Sequence, residues 1–356
     1  MAQSLPVMVF AALYVYGKAV AYAFMLLPYF VLSQLRNPTR CLCEPKKRET
    51  PPKCLDEVGQ HGYLTVKGLK FHYVERGDRS KKLMLFVHGF PEFWYSWRLQ
   101  MKEFSKDYWT VAIDMRGYGD SDKPPNVSDY KFENMVDDIK EIVRALDKDK
   151  FILVAHDWGA LISWVFVDQY PEMVDKYIMM NGSHPKVHAM MMKNKEQASK
   201  SWYVYLFQLP FIPELWVKWN DFILFKNMFI TRGKNNPDIT EQDIEAFKYT
   251  FSRPGALSPP INYYRAAIRR RITDGSGPKD AKKSENTVKK ERPQGLYIFG
   301  AKDIAIIIDG VAKHKEFFEP LQTVIIDEGS HFVQQDEPKA VNAAMHSFLN
   351  STASKL

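Results

Sequence analysis

Cysteine is scarce in this chain, and all of it lies in one short stretch. The three cysteines are Cys41, Cys43 and Cys54, so the chain beyond residue 54 cannot form a disulfide framework. No second Cys/His pair follows at the spacing of a structural zinc site, so we expect no bound metal. We interpret the three as exposed thiols, with S-palmitoylation of Cys41 and Cys43 beside a membrane as the alternative.

The signatures of common cofactor sites are also missing. The Gly-Ser-Gly stretch at Gly275–Gly277 lies in a polar segment, and there is no haem or flavin motif. We therefore expect no cofactor. The net charge is +7, and much of the excess lies in residues 36–49 and 269–292. Neither segment alternates basic with aromatic residues, so nucleic acid is a weak candidate partner, and the second segment is typical of a solvated linker.

The chain begins with a long apolar run, residues 5–35, whose only charge is Lys18. The run exceeds the ~20 residues that a helix needs to span a bilayer. Its start, "MAQSLP", lacks the basic residues of a secretory signal. We therefore predict an uncleaved single-pass anchor over residues 1–35. A hairpin that re-enters the interface is the alternative, because Gly17-Lys18 and Pro28 interrupt the run.

Location signals at the two ends of the chain disagree. Basic residues follow the anchor, and the positive-inside rule then places the rest of the chain in the cytosol, at the endoplasmic reticulum. The last three residues, Ser354-Lys355-Leu356, match a peroxisomal address. We favour the endoplasmic reticulum because the anchor inserts during synthesis, and the peroxisome is the alternative. The sequons at Asn126, Asn181 and Asn350 are unused on a cytosolic domain.

Strand and helix patterns predict an α/β domain with an insertion. A linker over residues 36–60 precedes short apolar strands that alternate with helical segments over residues 61–183, which predicts a mostly parallel sheet. Residues 184–271 are aromatic-rich and helical in period, and we predict a helical cap there. A charged linker over residues 272–292 leads back to the sheet, which residues 293–356 complete.

The stretch "VAHDWGAL" has the form of a nucleophile elbow, with a strand before it, a helix after it and small residues at Ala155 and Gly159. The apex is Asp157, where an esterase has serine. A carboxylate attacks a strained sp³ carbon and gives an alkyl ester that water cleaves. We therefore interpret Asp157 as a nucleophile rather than as a helix N-cap.

The second half of such a reaction needs a base. His331, in "DEGSHF", follows the last predicted strand, and the order nucleophile, acid, histidine is that of the elbow hydrolases. Asp303 ends "YIFGAKD" at the carboxyl end of a strand, where an orienting carboxylate is expected. Asp309 and Asp327 are rivals that follow their strands less directly.

Three motifs carry a family resemblance: "HGFPEFWYSW" at residues 88–97, "DMRGYGDSDKP" at residues 114–124 and "HDWGA" at residues 156–160. With them the chain resembles the α/β-hydrolase-fold epoxide hydrolases, and the apolar start resembles their membrane-anchored members. The resemblance covers everything after about residue 60. It implies a mostly parallel sheet with helices on both faces, an inserted helical cap and an N-terminal membrane helix.

The resemblance also implies residue roles. Backbone amides of Phe90 and Trp158 form the oxyanion hole, and the cap tyrosines Tyr203 and Tyr264 protonate the epoxide oxygen. Their neighbours Tyr205 and Tyr263 fit the motif less well. Further aromatic residues are expected to line an apolar substrate pocket: Trp94, Trp97, Trp202 and Phe207. Other cap aromatics are expected to be core: Trp216, Trp219 and Phe222.

The predicted function is therefore addition of water to a lipophilic epoxide, with fatty-acid epoxides favoured by the anchor and the apolar cap. The partners are the epoxide, water and membrane lipid. One alternative is a haloalkane or haloacid dehalogenase, which shares the aspartate nucleophile. The other is a catalytically silent hydrolase-like binding protein.

Overall fold

Apolar runs build the middle of an eight-stranded sheet, because strands covered on both faces need apolar side chains throughout. The computed structural model describes residues 4–231, 239–274 and 292–351. Its strand order is β1-β2-β4-β3-β5-β6-β7-β8. The strands are β1 (Gln60–Val66), β2 (Leu69–Arg76), β3 (Leu83–Val87), β4 (Trp109–Ile113), β5 (Phe151–His156), β6 (Val174–Met180), β7 (Gln294–Gly300) and β8 (Leu321–Ile326).

The pairing pattern confirms the predicted sheet. β1 and β2 form the antiparallel hairpin, turning at Gly68 with a φ of 78°, a backbone conformation that suits glycine. β2 pairs antiparallel with β4, and every pair from β4 to β8 is parallel. The carboxyl ends of the parallel strands therefore meet at one edge of the sheet, where α/β proteins place their sites.

Helices cover both faces of the sheet and form an insertion between β6 and β7. The core helices are α2 (Arg98–Phe104), α3 (Phe132–Ala145), α4 (Asp157–Gln169), α11 (Gly310–Phe317), α12 (Val333–Asp336) and α13 (Pro338–Asn350). The inserted helices are α5 (Pro185–Met191), α6 (Lys195–Lys200), α7 (Trp202–Leu206), α8 (Ile212–Lys226), α9 (Glu241–Ser252) and α10 (Ser258–Asp274). Short 3₁₀ helices are Lys53–Leu55, Trp94–Trp97, Val127–Tyr130 and Pro171–Met173, and Asn227–Thr231 is π-helical.

The inserted helices lie where the sequence predicts the helical cap. We propose residues 184 and 271 as the bounds of this cap. Most of the charged linker lies outside the described residues. α8 is kinked, because Asn220, Asp221 and Phe222 have left-handed backbone angles. The segment after the N-terminal helix is attached at this kink: Asn220 N–H donates to the Leu42 carbonyl, and Arg48 pairs with Asp221 at 2.8 Å.

The N-terminal apolar run is one continuous helix, α1 (Leu5–Leu35), which passes through Gly17 and Pro28 without a break. The hairpin alternative is therefore not seen. By length and composition α1 is apolar enough to cross a membrane. It packs along the inserted helices, with ring contacts that include Phe30 with Trp219 at 4.6 Å between centroids.

Candidate active site

Asp157 stands at a sharp turn where β5 ends and α4 begins. Its φ is 48°, in the left-handed region that costs a non-glycine residue energy. The turn needs glycine neighbours, since a Cβ on Gly89 would lie 2.4 Å from the Cβ of Asp157. A Cβ on Gly159 would lie 2.4 Å from the Val87 carbonyl oxygen. Close packing of three segments thus fixes the Asp157 carboxylate at the carboxyl edge of the sheet.

Backbone amides hold one oxygen of this carboxylate. The Phe90 N–H donates to Asp157 Oδ1 at 2.7 Å. Trp158 is the second residue of α4, so its N–H is among those that have no partner within the helix. Of the two amides predicted for an oxyanion hole, the Phe90 N–H therefore contacts the Asp157 carboxylate, and the Trp158 N–H follows Asp157 in the first turn of α4.

His331 lies between two carboxylates. Its Nδ1 is 2.9 Å from Asp303 Oδ2, and its Nε2 is 3.4 Å from Asp157 Oδ2. Burial lowers the pKa of His331, but the charges of Asp303 and Asp157 outweigh it and raise the pKa well above its usual value. The structure thus places Asp303 against the ring, whereas the rivals Asp309 and Asp327 make no ion pair with it among the described residues.

Asp303 is held ionised by its own donors. Asn181 Nδ2 donates to Asp303 Oδ2 at 2.6 Å, and the Ala305 and Ile306 amides donate to Oδ1 at 2.6 and 3.0 Å. Burial raises the pKa of Asp303, but His331, Asn181 and the backbone outweigh it and keep that pKa below its usual value. Sequence reasoning treated Asn181 only as an unused sequon; its position at the end of β6 was the available signal.

A second buried hydrogen-bond network, formed by Glu92 and His156, holds the backbone of His331. Glu92 Oε2 accepts from Gly89 N–H at 2.9 Å and faces His156 Nδ1 at 2.6 Å. His156 Nε2 lies 2.7 Å from the His331 carbonyl oxygen. Despite burial, the interaction with His156 lowers the pKa of Glu92 to about 2. This network joins the Gly89 loop to the His331 loop, and sequence reasoning missed both Glu92 and His156.

Two tyrosines of the insertion face Asp157 from above. Tyr203 and Tyr264 both line the space beside it, with ring centroids 5.8 Å apart. Burial raises the pKa of both phenols above the usual value, so both are protonated donors at neutral pH. The neighbouring Tyr263 instead donates to the Arg116 carbonyl at 2.8 Å, and Tyr205 packs against α1.

The space beside Asp157 has two arms that share Asp157, Tyr203, Tyr264 and Ala305. The aromatic arm is lined mainly by Phe90, Trp202, Phe207, Trp216 and Trp219, together with Leu26 and Tyr29 of α1. The arginine arm is lined by residues that include Phe132, Leu161, His188, Ala267, Arg270 and Arg271.

The arms correct several pocket predictions. Trp202 and Phe207 line the aromatic arm, whereas Trp94 and Trp97 line neither arm. Trp97 is fully buried against Phe86 of β3, and Trp94 packs on His61, so both belong to the hydrophobic core. The prediction of core aromatics holds for Trp219 and Phe222, which are buried, and Trp216 packs against the core. Trp216 and Trp219 also line the aromatic arm.

Metal ligands are not grouped in the described part of the chain: no three His, Cys, Asp or Glu residues there could hold a metal ion. Cys41 is exposed, whereas Cys43 and Cys54 are half-buried, which corrects the expectation of three exposed thiols. The groups around Asp157 are carboxylates, an imidazole, phenols and backbone amides.

Comparison with known proteins gives the class. A family model described as the alpha/beta hydrolase fold matches residues 82–338. A solved structure of an epoxide hydrolase from Bacillus megaterium, in complex with an inhibitor, superposes with a TM-score of 0.71 and 31% identity, covering 82% of this chain and 100% of that one. The protein is thus an α/β hydrolase, as its sheet and its elbow indicate.

Curated relatives narrow the class. The chain is 39% identical over 318 residues to human "Epoxide hydrolase 4", covering 86% of this chain and 84% of that protein. It is 40% identical over 316 residues to "Epoxide hydrolase 1" of Caenorhabditis elegans, covering 87% and 75%. The chain belongs to the epoxide hydrolase family of the α/β-hydrolase fold, as its motifs predicted.

Proposed function

We propose that this enzyme hydrolyses lipophilic epoxides, in particular fatty-acid epoxides, to vicinal diols through an ester on Asp157. The observation that carries the proposal is the placement of Asp157 Oδ2 3.4 Å from His331 Nε2, with Oδ1 held by the Phe90 amide. Oδ1 already lies where a carbonyl oxygen would sit in an oxyanion hole. Oδ2 is therefore the oxygen that attacks.

Ring opening uses the tyrosines. Asp157 Oδ2 forms a bond to one epoxide carbon, the carbon–oxygen bond of the ring breaks, and the ring oxygen takes a proton from Tyr203 or Tyr264. A phenol suits this step because it donates without carrying a charge beforehand. Their position above Asp157 favours epoxide opening over dehalogenation, in which no oxygen needs a proton.

Hydrolysis of the ester uses His331. Ester formation removes the negative charge of Asp157, which is one of the two charges that raise the pKa of His331. The pKa then falls, the imidazolium passes its proton to the tyrosinate left by ring opening, and the neutral imidazole accepts a proton from the water that attacks the ester carbonyl. The Phe90 and Trp158 amides stabilise the resulting oxyanion. The oxyanion collapses as the alkoxide of the diol leaves with the proton of His331, and the carboxylic acid on Asp157 then returns its proton to His331.

The substrate class follows from the walls of the aromatic arm. Five aromatic side chains and two residues of α1 form an apolar channel to Asp157. Such a channel suits a long hydrocarbon chain arriving from a lipid phase. The exposed face of α1 is also apolar, with Phe24 67% and Met25 73% exposed.

We propose that this face of α1 attaches the enzyme to a membrane, with the catalytic domain in the cytosol at the endoplasmic reticulum. The peroxisome remains the alternative destination, because Ser354-Lys355-Leu356 matches a peroxisomal address. These three residues lie outside the described part of the chain. Cys41 and Cys43 follow α1 directly, so palmitoylation of both would strengthen the attachment.

The test is to trap the ester. The detergent-solubilised full chain and its His331→Gln and Asp157→Ala variants are incubated with epoxidised oleic acid. We expect diol from the wild type, one substrate mass added to His331→Gln with no turnover, and neither from Asp157→Ala. Mass spectrometry of diol and intact protein reads all three.

Two results would contradict the proposal. Diol formation by Asp157→Ala at the wild-type rate would exclude Asp157 as the nucleophile. Halide release from a long-chain bromoalkane, with no diol from any epoxide, would establish the dehalogenase alternative instead.

A further inference from the structure

The arginine arm differs in kind from the aromatic arm. Its apolar walls, which include Phe132, Leu161 and Ala267, lead from Asp157 toward His188 and Arg271. A substrate whose epoxide lies at Asp157 therefore has an apolar channel on one side and a cationic end on the other.

Arg271 has no counter-ion among the described residues. No carboxylate makes an ion pair or hydrogen bond with it in the part of the chain that the structure describes. Its neighbour Arg270 lines the same arm but is paired with Glu133 at 2.6 Å. Burial lowers the pKa of the Arg271 guanidinium, so the cation sits in a site poor in water. A half-buried guanidinium without a partner attracts an anion, and its planar fork matches a carboxylate.

His188 adds a neutral donor beside this cation. Burial, together with the charge of Arg271, lowers the pKa of His188 to about 4. The imidazole is therefore neutral at physiological pH and can donate one hydrogen bond to the same anion.

Among the described residues that line the aromatic arm, Lys200 is the one lysine or arginine, and its charge is already paired. Lys200 lines that arm, but its ammonium donates to the Asp303 carbonyl at 2.9 Å and pairs with Glu196 at 3.5 Å. An anionic group is thus directed to the arginine arm, and the hydrocarbon tail to the aromatic arm.

We propose that Arg271, assisted by His188, binds the carboxylate of a fatty-acid epoxide whose ring lies at Asp157. The proposal rests on the proposed function and adds its orientation. The distance from carboxylate to epoxide is then fixed by the arm, so the enzyme distinguishes positional isomers of the epoxide by reach. Arg271 is a specificity-determining residue and takes no part in bond making.

The test compares an acid with its neutral ester. Detergent-solubilised full chain is assayed for kcat and KM on epoxidised oleic acid and on the methyl ester of that acid. Loss of one charge-assisted contact lowers kcat/KM for the acid by about 10- to 100-fold in Arg271→Gln, mainly through KM. The wild type and Arg271→Gln should open the epoxide of the methyl ester at the same rate. Arg271→Lys should retain part of the preference for the acid.

The matched control is Arg269→Gln. Arg269 lies on the same helix, two residues earlier, and lines a separate cavity beside Gln208 and Arg265. We expect the wild-type ratio of acid to ester in this control. An unchanged ratio in Arg271→Gln, with diol still formed, overturns the carboxylate subsite alone. No diol from either probe by the wild type overturns the proposed function together with it.

Discussion

Single hydroxyl groups distinguish the two steps of the proposed reaction. Tyr203 and Tyr264 serve ring opening only, because ester hydrolysis needs no proton on the former epoxide oxygen. Each hydroxyl can substitute in part for the other, since both face the same side of Asp157.

Replacing both hydroxyls should therefore slow ester formation. We expect about a 100-fold or greater loss in the Tyr203→Phe, Tyr264→Phe double variant, the usual scale for a general acid, and a smaller loss in each single variant. Rapid-quench mass spectrometry in the His331→Gln background measures ester formation directly. Tyr205→Phe is the control, because Tyr205 packs on Tyr14 of α1 at 6.3 Å. Equal rates in wild type and double variant would remove the tyrosines from the acid role.

At the scale of secondary-structure elements, the hydrogen bonds of Glu92 hold the loop after β3 against β5 and α12. The Glu92 carboxylate also accepts from the side-chain amides of Gln334 and Gln335, at 2.8 and 3.2 Å. It thereby fixes the loop after β3, the end of β5 and α12 at one point. A glutamine at position 92 offers one acceptor oxygen and leaves buried donors unpaired.

This network predicts acid sensitivity of the fold. The pKa of Glu92 is lowered from 4.5 to about 2, so its stabilisation is present above about pH 4.5 and is lost as the pH falls toward 2. Glu92→Gln should lose about 3 kcal/mol at pH 7, because buried donors lose a charged acceptor. The unfolding midpoint of the variant should then change less between pH 6 and 3.

Thermal unfolding of the solubilised full chain measures both effects. Part of the acid sensitivity should persist in Glu92→Gln, because the pKa of buried Asp114 is also lowered to about 2 beside His72. A variant as stable as the wild type at pH 7, with the same dependence on acid, would show that Glu92 does not stabilise the folded state.

Local signals explain which parts were predictable from the sequence. The elbow, the base loop and the strand and loop that lead to Asp303 each lie within about ten consecutive residues, and their order along the chain identifies the fold. Glu92 with His156, and Asn181 with Asp303, are 64 and 122 residues apart, so only the folded chain shows their pairing. The mistakes at Trp94 and Trp97 have a related cause, since a motif does not give the direction of a loop.

The position of α1 is the largest feature that the sequence did not predict at the scale of the whole molecule. Contacts to the inserted helices run from Tyr14, against Tyr205, to Ser33, whose Oγ accepts from Trp219 Nε1 at 3.1 Å. A helix rises 1.5 Å per residue, so this contact is ~28 Å long, nearly the ~30 Å thickness of the hydrocarbon. If α1 crossed the bilayer, the inserted helices would either enter the lipid together with α1 or separate from α1.

The charged residues of the inserted helices favour an α1 that does not cross the bilayer. It carries solvent-exposed ion pairs such as Lys226 with Glu241, which do not enter hydrocarbon without a large cost. Lys18 of α1 faces the rings of Tyr14 and Tyr205 at 4.7 and 4.8 Å instead of lipid. We therefore infer, as an alternative to the single-pass prediction, that α1 lies in the plane of the membrane surface with its apolar face inserted.

Topology at the N-terminus tests this inference. An N-terminal extension with a glycosylation sequon, long enough to clear the membrane, is added to the full chain and expressed in cells with an endoplasmic reticulum. An in-plane helix leaves the extension in the cytosol, so we expect membrane-bound protein without glycan. A single-pass helix with a cytosolic catalytic domain carries the extension into the lumen, where it is glycosylated. The same extension on a known single-pass anchor is the positive control. A glycosylated product that retains full activity would establish that α1 spans the membrane. In that case α1 would leave the aromatic arm without loss of catalysis.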